Sequence, residues 1–208
     1  MKHPTAESFL QNVAGHELIV LKNDGVYRHL KFAKPGTSNQ HFDIVTWPGF
    51  LCFCGDMGTY TFSRLIDMFE FFREAPERKE MYINKGYWAE KAFFHSKDIK
   101  KFDPALAQEF VDEAIKEWSS DMTDEELSEL EWEVGELQDS VDDEHAFYAV
   151  AGQFDAKIGE KELKLNDLWE TSFTDYTYRF VWCCYALSWG IARFDEWAAQ
   201  QAVAEATQ

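Results

Sequence analysis

Between Lys116 and Lys157 the chain has no lysine and no arginine. Fourteen acids fill the same interval: Glu117, Asp121, Asp124, Glu125, Glu126, Glu129, Glu131, Glu133, Glu136, Asp139, Asp142, Asp143, Glu144 and Asp155. The net charge of −18 therefore divides as −1 over residues 1–116, −14 over the interval and −3 over residues 157–208. A stretch without cations has none of the alternating charges that pair along an ordinary solvated helix face. With a sequence pI near 4.6 and no basic cluster beyond Lys97, Lys100 and Lys101, direct nucleic-acid binding is not expected. Acidic membranes would be repelled in the same way.

Long apolar runs are also lacking. The longest, between Arg179 and Arg193, holds 13 uncharged residues, short of the ~20 that a membrane span needs. Met1-Lys2-His3-Pro4 leads into a polar amphipathic segment and not into the apolar core of an export signal. The expectation is a soluble protein. Cysteine is sparse: Cys52-Phe53-Cys54 and Cys183-Cys184 lie within apolar runs and lack the C-x-x-C spacing of a thiolate metal site. They read as free thiols in a reducing compartment. There is no P-loop, G-x-S-x-G, H-E-x-x-H or EF-hand loop, no internal repeat and no low-complexity tract.

What is present is core material. The 208 residues are 46% hydrophobic and 16% aromatic, which argues against disorder despite the acidity. Thr5 caps a short helix over 5–14 with Phe9, Leu10 and Val13 on one face, and Gly15 ends it. Strands follow at Leu18–Lys22, Val26–Phe32, His41–Trp47, Phe50–Cys54 and Thr59–Ser63. Asn23-Asp24-Gly25, Pro48-Gly49 and Gly55–Gly58 provide turn chemistry between them. In the second strand Val26, Arg28, Leu30 and Phe32 alternate with Tyr27, His29 and Lys31. A helix from Ser63 or Arg64 carries Leu65, Met68, Phe69 and Phe72 inward and Asp67, Glu70 and Arg73 outward, and Pro76 marks its end.

Further along, residues 87–95 suggest a short helix with Trp88, Phe93 and Phe94. Asp103-Pro104 starts a helix running to about Trp118, with Leu106, Phe110, Val111, Ala114 and Ile115 inward. Thr123 to Glu126 is a capping box for a helix with an apolar seam at Leu127, Leu130, Val134 and Leu137. Another helical piece covers about 142–154, and 157–166 is a loop or small hairpin. A long aromatic helix opens at Thr174 or Asp175, runs to about Gln200 and is expected at the core of the second half. The fold class is α+β: either one domain, or an antiparallel β-meander flanked by helices over 1–75 and a helical region over 76–208 sharing the core. Any boundary would fall at 76–86.

The run from His41 to Arg64, HFDIVTWPGFLCFCGDMGTYTFSR, continued by Asp67–Phe72, resembles uncharacterised proteins encoded in tailed phages and prophages of Gram-negative bacteria. The likeness spans residues 5–95. It implies a bacterial cytosolic setting and a phage accessory role, a context in which small acidic proteins act against host defences such as CRISPR or restriction systems. It supplies no catalytic residues.

Two sets of residues suggest chemistry. His41, Asp43 and Asp56, with Arg64, would form an acid/base site if they converged on the sheet. Asp142, Asp143, Glu144 and His145 are a His/carboxylate cluster, but the second Glu-x-x-His motif of a di-metal bundle is absent, and acids at a helix N-terminus also complement its dipole. No cofactor and no metal is expected. The acidic stretch offers a third possibility. Glu125, Glu129, Glu133 and Glu136 fall on one ridge, continued by Asp139, Asp142 and Asp143. Twelve acids in the 24 residues Asp121–Glu144, drawn as one helix, give about one charge per 3 Å, close to the ~3.4 Å spacing of phosphates on one DNA strand. The leading expectation is a non-enzymatic binding protein whose ridge mimics nucleic acid and occupies a basic, nucleic-acid-binding surface of a host protein, with Trp132 as an apolar anchor. The alternatives are a small enzyme using the sheet residues, and an accessory protein that self-associates as a homodimer through the Leu127–Leu137 seam.

Overall fold

The computed structural model describes residues 3–73, 81–93 and 99–206. In chain order these form α1 (Ala6–Val13), β1 (Glu17–Asp24), β2 (Tyr27–Ala33), β3 (Phe42–Trp47), β4 (Phe50–Gly55), β5 (Gly58–Ser63), α2 (Met68–Phe72) and α3 (Lys85–Glu90). There follow β6 (Lys100–Phe102), α4 (Pro104–Ser119), α5 (Asp124–Glu133), α6 (Gly135–Ser140), α7 (Glu144–Ala151), β7 (Asp155–Ile158), β8 (Lys161–Lys164), β9 (Thr174–Tyr176) and α8 (Tyr178–Ala206). The chain is α+β, as its patterning predicts. Pro76, Phe94, His95 and Lys97 lie outside the described residues.

The chain forms two compact units. One unit joins residues 2–99 to Tyr176–Gln208; the other is the intervening Lys100–Asp175. The second unit is thus inserted in sequence between α3 and α8.

The first unit is built on the meander β1-β2-β3-β4-β5, antiparallel throughout. Its register places Leu18, Phe32, Phe42, Gly55 and Gly58 along one row and Val20, Leu30, Ile44, Phe53 and Tyr60 along another. Alternation puts Leu30, Phe32, Phe42, Ile44, Leu51, Phe53, Tyr60 and Phe62 on one face, all buried. The opposite face carries His29, Lys31, Asp43, Val45, Cys52 and Cys54, all half-buried. Gly49 (φ +86°) closes the Pro48-Gly49 turn in a conformation that L side chains rarely adopt.

The final helix α8 belongs to this core, which corrects its expected place in the second half. Phe180, Trp182, Cys183, Cys184, Ala186, Leu187, Ile191 and Phe194 are buried with the sheet's inner face. Phe9 of α1 meets Trp182 edge-on at 5.0 Å and stacks near Tyr185 at 5.8 Å. Gly190 permits the close approach: a Cβ there would stand 2.9 Å from Ile44 Cδ1 and 3.2 Å from the Phe32 ring. The helix starts at Tyr178 and not at Thr174, because Thr174–Tyr176 is strand β9.

Two apolar residues expected inside this unit are outside. Leu10 is 44% and Leu65 40% exposed. For Leu65 the reason is that α2 begins later, at Met68, capped by Asp67 through the Phe69 N–H (2.9 Å). Asp67 does not face water. Its carboxylate also accepts both arms of the Arg28 guanidinium at 2.8 Å, and Arg28, only 9% exposed, lies over the Phe69 ring. Residues 87–93 differ too: α3 ends at Glu90 and Ala92 bridges to Phe62, extending the sheet edge.

The inserted unit has two small cores. Ala107, Val111, Leu137, Val141, Phe147, Ala151, Leu168 and Phe173 form one. Leu130, Val134, Ala156, Ile158 and Leu163 form the other, under the β7–β8 hairpin. The hairpin turns at Gly159 (φ +59°), as the sequence suggested for 157–166.

Candidate acidic interface

Helix α5 begins as its sequence dictates. The Thr123 hydroxyl accepts from Glu126 N (3.4 Å), and the Glu126 carboxylate accepts from Thr123 N (2.8 Å). The backbone and hydroxyl hydrogen bonds from Thr123 hold the Glu126 carboxyl below its ordinary range. Asp124 and Glu125 stand in the first turn, where carboxylates complement the helix dipole.

The helix then stops early. Val134 ends α5 and α6 begins at Gly135, so the acidic stretch is three short helices and not one rod. α5 has 10 residues, or ~15 Å of helix, less than half the length implied by a continuous ridge. Glu125, Glu129 and Glu133 lie on α5, Glu136 and Asp139 on α6, and Asp142 and Asp143 precede α7. All are exposed except Glu133, which is half-buried. Asp143 has a structural role as well, capping α7 through Ala146 N at 2.8 Å. Among the described residues, none of these seven acids has a cation within ion-pairing distance. Two lysines of the unit are engaged elsewhere, with Lys164 near Asp155 (3.7 Å) and Glu162 (3.4 Å) and Lys161 donating to the Trp118 carbonyl (3.2 Å).

At about 100° per residue, Trp132 falls within ~20° of Glu125 and ~60° of Glu129 around α5. It is 79% exposed. The seam expected to serve a dimer is mostly used inside the unit: Leu130, Val134 and Leu137 are buried, and Leu127 alone of the four is exposed, at 37%. Two clefts flank α5. One, of ≈ 410 Å³, is lined by Glu133, Glu136 and Asp155 together with Leu137, Val150 and Phe154. The other, of ≈ 420 Å³, lies between α4 and α5. Neither cleft was readable from the sequence, since each is lined by residues of elements separate in the chain.

Of the alternative site on the sheet, His41 and Asp56 are backbone neighbours, Asp56 N donating to the His41 carbonyl at 3.0 Å. His41 Nδ1 is 2.6 Å from the Ser38 carbonyl, Asp56 accepts from Gln40 N (2.9 Å), and Arg64 is exposed. Asp43 instead meets His29, with Nε2 to Oδ2 at 2.7 Å. The missed residue was His29. It opposes Val45 in the β2–β3 register and so stands diagonal to Asp43, a neighbour that the hairpin pattern implies once the register is known. Cys54, paired with Asp43 across β3–β4, is pushed up to about 11 by burial, with Cys52 and Asp43 adding to the shift. It therefore stays a thiol at neutral pH. Cys183 and Cys184 are buried in α8 and shifted upward chiefly by burial. Among the described residues no three His, Cys, Asp or Glu side chains are placed to share a metal ion, Asp142 to His145 included. No described helix is long and apolar enough to cross a membrane.

No family model, no curated protein and no solved structure matches the chain.

Proposed function

We propose that the inserted unit is a binding module for a basic protein surface, one that ordinarily holds DNA or RNA, and that the protein acts by occupying that surface and not by catalysis. The observation that carries this reading is where the charge sits. Residues 100–175 hold 23 acids against 6 bases, a net of −17, and the rest of the chain nets −1. The ridge acids have no internal cations among the described residues, so their field is available to a partner, steering association and opposing acidic competitors. Trp132 supplies apolar contact area beside Glu125 and Glu129, in keeping with the enrichment of tryptophan at the energetic centres of interfaces. Mimicry here is a cluster of carboxylates on three short helices, a patch and not a rod. Taken with the resemblance to phage-encoded proteins, the reading is a counter-defence factor in the bacterial cytoplasm, directed at a nucleic-acid-binding component such as one of a CRISPR or restriction system.

The test is capture from a bacterial host at low and high salt with the parent chain and with Glu129→Lys/Glu136→Lys. The expected partner is retained at low salt, released by high salt, lost with the double variant and displaced by duplex DNA or RNA. A partner held equally by parent and variant, or indifferent to nucleic acid, overturns the proposal.

A further inference from the structure

Trp169 stands open to solvent in the inserted unit, 75% exposed, and yet its place is fixed. One face of its indole stacks on the Tyr148 ring, with centroids 5.7 Å apart and planes 11° from parallel. Gly152 lets it settle there, since a Cβ at that position would stand 3.2 Å from Trp169 Cζ2. A turn opening at Asp167 presents it: the Asp167 carbonyl accepts from Glu170 N and Thr171 N at 3.0 Å and from the Thr171 hydroxyl at 2.9 Å. One indole face is thus used on Tyr148 and the other is left to water, which is unfavourable for so large an apolar ring.

Charge narrows the occupant. Asp167 and Glu170 are exposed on either side of Trp169 in the chain. Glu144 is exposed too and lies one turn before Tyr148 on α7, so the acidic start of that helix, with Asp142 and Asp143, leads up to the stacked rings. Among the described residues no lysine or arginine stands over either ring. A neutral apolar group would cover the indole but desolvate the neighbouring carboxylates without pairing them. An acid would be repelled by a unit of net −17. A lysine ammonium is a compact, strongly hydrated point charge, whereas an arginine guanidinium lies flat on an aromatic face and donates from its edge to carboxylates beside the ring.

Resting on the reading that the partner surface is basic, we propose that the Trp169–Tyr148 stack is a docking platform for an arginine side chain of that partner, with the guanidinium on the open indole face and its N–H groups directed at the flanking carboxylates of Asp167 and Glu170. The partner is thus recognised through arginine in particular, and not by positive charge alone.

The full chain can be tested by fluorescence anisotropy with two labelled synthetic peptides of equal length and equal charge. One has arginine at spaced positions between glycine and serine; the other has lysine at the same positions. The arginine peptide is expected to bind about threefold more tightly at low salt, in line with the value of one exposed cation–π contact. Trp169→Leu should bring the two peptides to equal affinity, and Trp169→Phe should keep part of the preference. In NMR spectra of the parent, the Trp169 indole N–H resonance should shift with the arginine peptide more than with the lysine peptide, a readout independent of any variant's folding. Equal affinities of the parent for the two peptides, a preference that survives Trp169→Leu, or indole shifts confined to other tryptophans overturn the platform while leaving the electrostatic reading in place. Binding of neither peptide at low salt overturns both.

Discussion

The two units resolve their charges in opposite ways. In the sheet unit, cations and acids are nearly balanced and meet across the structure: Arg28 with Asp67, and Arg73 with Asp195 through two bonds of 2.9 Å. In the inserted unit the ridge acids of α5 and α6 make no ion pair among the described residues, although Lys161 acts on the Glu126 carboxyl, and Lys164 turns instead to Asp155 and Glu162 of the hairpin. The sheet unit uses charge to fix its own elements. The inserted unit carries charge at the expense of its own stability, since like carboxylates repel.

The sharpest way to break this contrast is to remove one acid from each unit. Asp67→Ala leaves the Arg28 guanidinium buried over Phe69 without its carboxylate, which should cost about 3–5 kcal/mol. Glu129→Ala removes an exposed acid and should change stability by less than about 0.5 kcal/mol. Urea unfolding of both variants reads the difference, and similar losses would refute the contrast. The Asp67 pair also has a pH signature. Burial alone would raise its carboxyl, but the hydrogen bonds from Arg28 and Phe69 N and the Arg28 charge outweigh it, leaving it below its ordinary value. A depressed carboxyl contributes stability above its unfolded value of 3.8, and that contribution is lost as pH falls through the folded value. The parent should therefore lose sheet-unit stability at acid pH through a contribution that Asp67→Ala lacks.

Packing gives the next largest effect. A side chain at Gly190 runs into Ile44 and Phe32, so Gly190→Leu should cost about 1–3 kcal/mol through overpacking. Gly135, at the start of α6, has open space where a Cβ would stand, with nothing within 4 Å. Gly135→Ala should instead stabilise the inserted unit by about 0.4–1 kcal/mol, by reducing the freedom of the unfolded chain. Opposite shifts in thermal unfolding are expected. A gain from both, or a loss from both, would show that the two units do not differ in how tightly they fill their space.

Much of the sheet unit was readable because its signals are local. Turn chemistry at Gly25 and Pro48-Gly49 and the alternation in β2 set the meander without reference to anything distant. The partner of α8 was not readable. Buried residues fall almost consecutively from Phe180 to Ile191, so the helix is apolar nearly all round and its pattern names no single face. The ridge was only partly readable for a related reason. Its acids and its cap at Thr123 are sequence features, but the break at Val134-Gly135 is not forced by the carboxylates or by the leucine seam. It is set by packing, with Val134 in the hairpin core and Leu137 in the other.

The cap tests whether α5 is held locally. Thr123→Ala removes the hydroxyl that accepts from Glu126 N and should cost about 1 kcal/mol. Hydrogen exchange should place the loss in α5, with β1–β5 unchanged. Loss of protection in the sheet at the same time would mean that the two units open together.

The smallest effect separates a ridge kept for binding from one kept for solubility. Glu129 lies one turn from Glu125 and one from Glu133, with no cation near any of them among the described residues. Glu129→Gln removes two like-charge neighbours and should stabilise α5 by a few tenths of a kcal/mol, an advantage that shrinks as salt screens the repulsion. If the ridge serves a basic partner, the same substitution should weaken capture and flatten its salt dependence, so stability and binding move in opposite directions. A gain in stability with capture unchanged would mean that Glu129 faces only water. A loss of stability would mean that its carboxylate supports the helix and that the repulsion argued for α5 is not there.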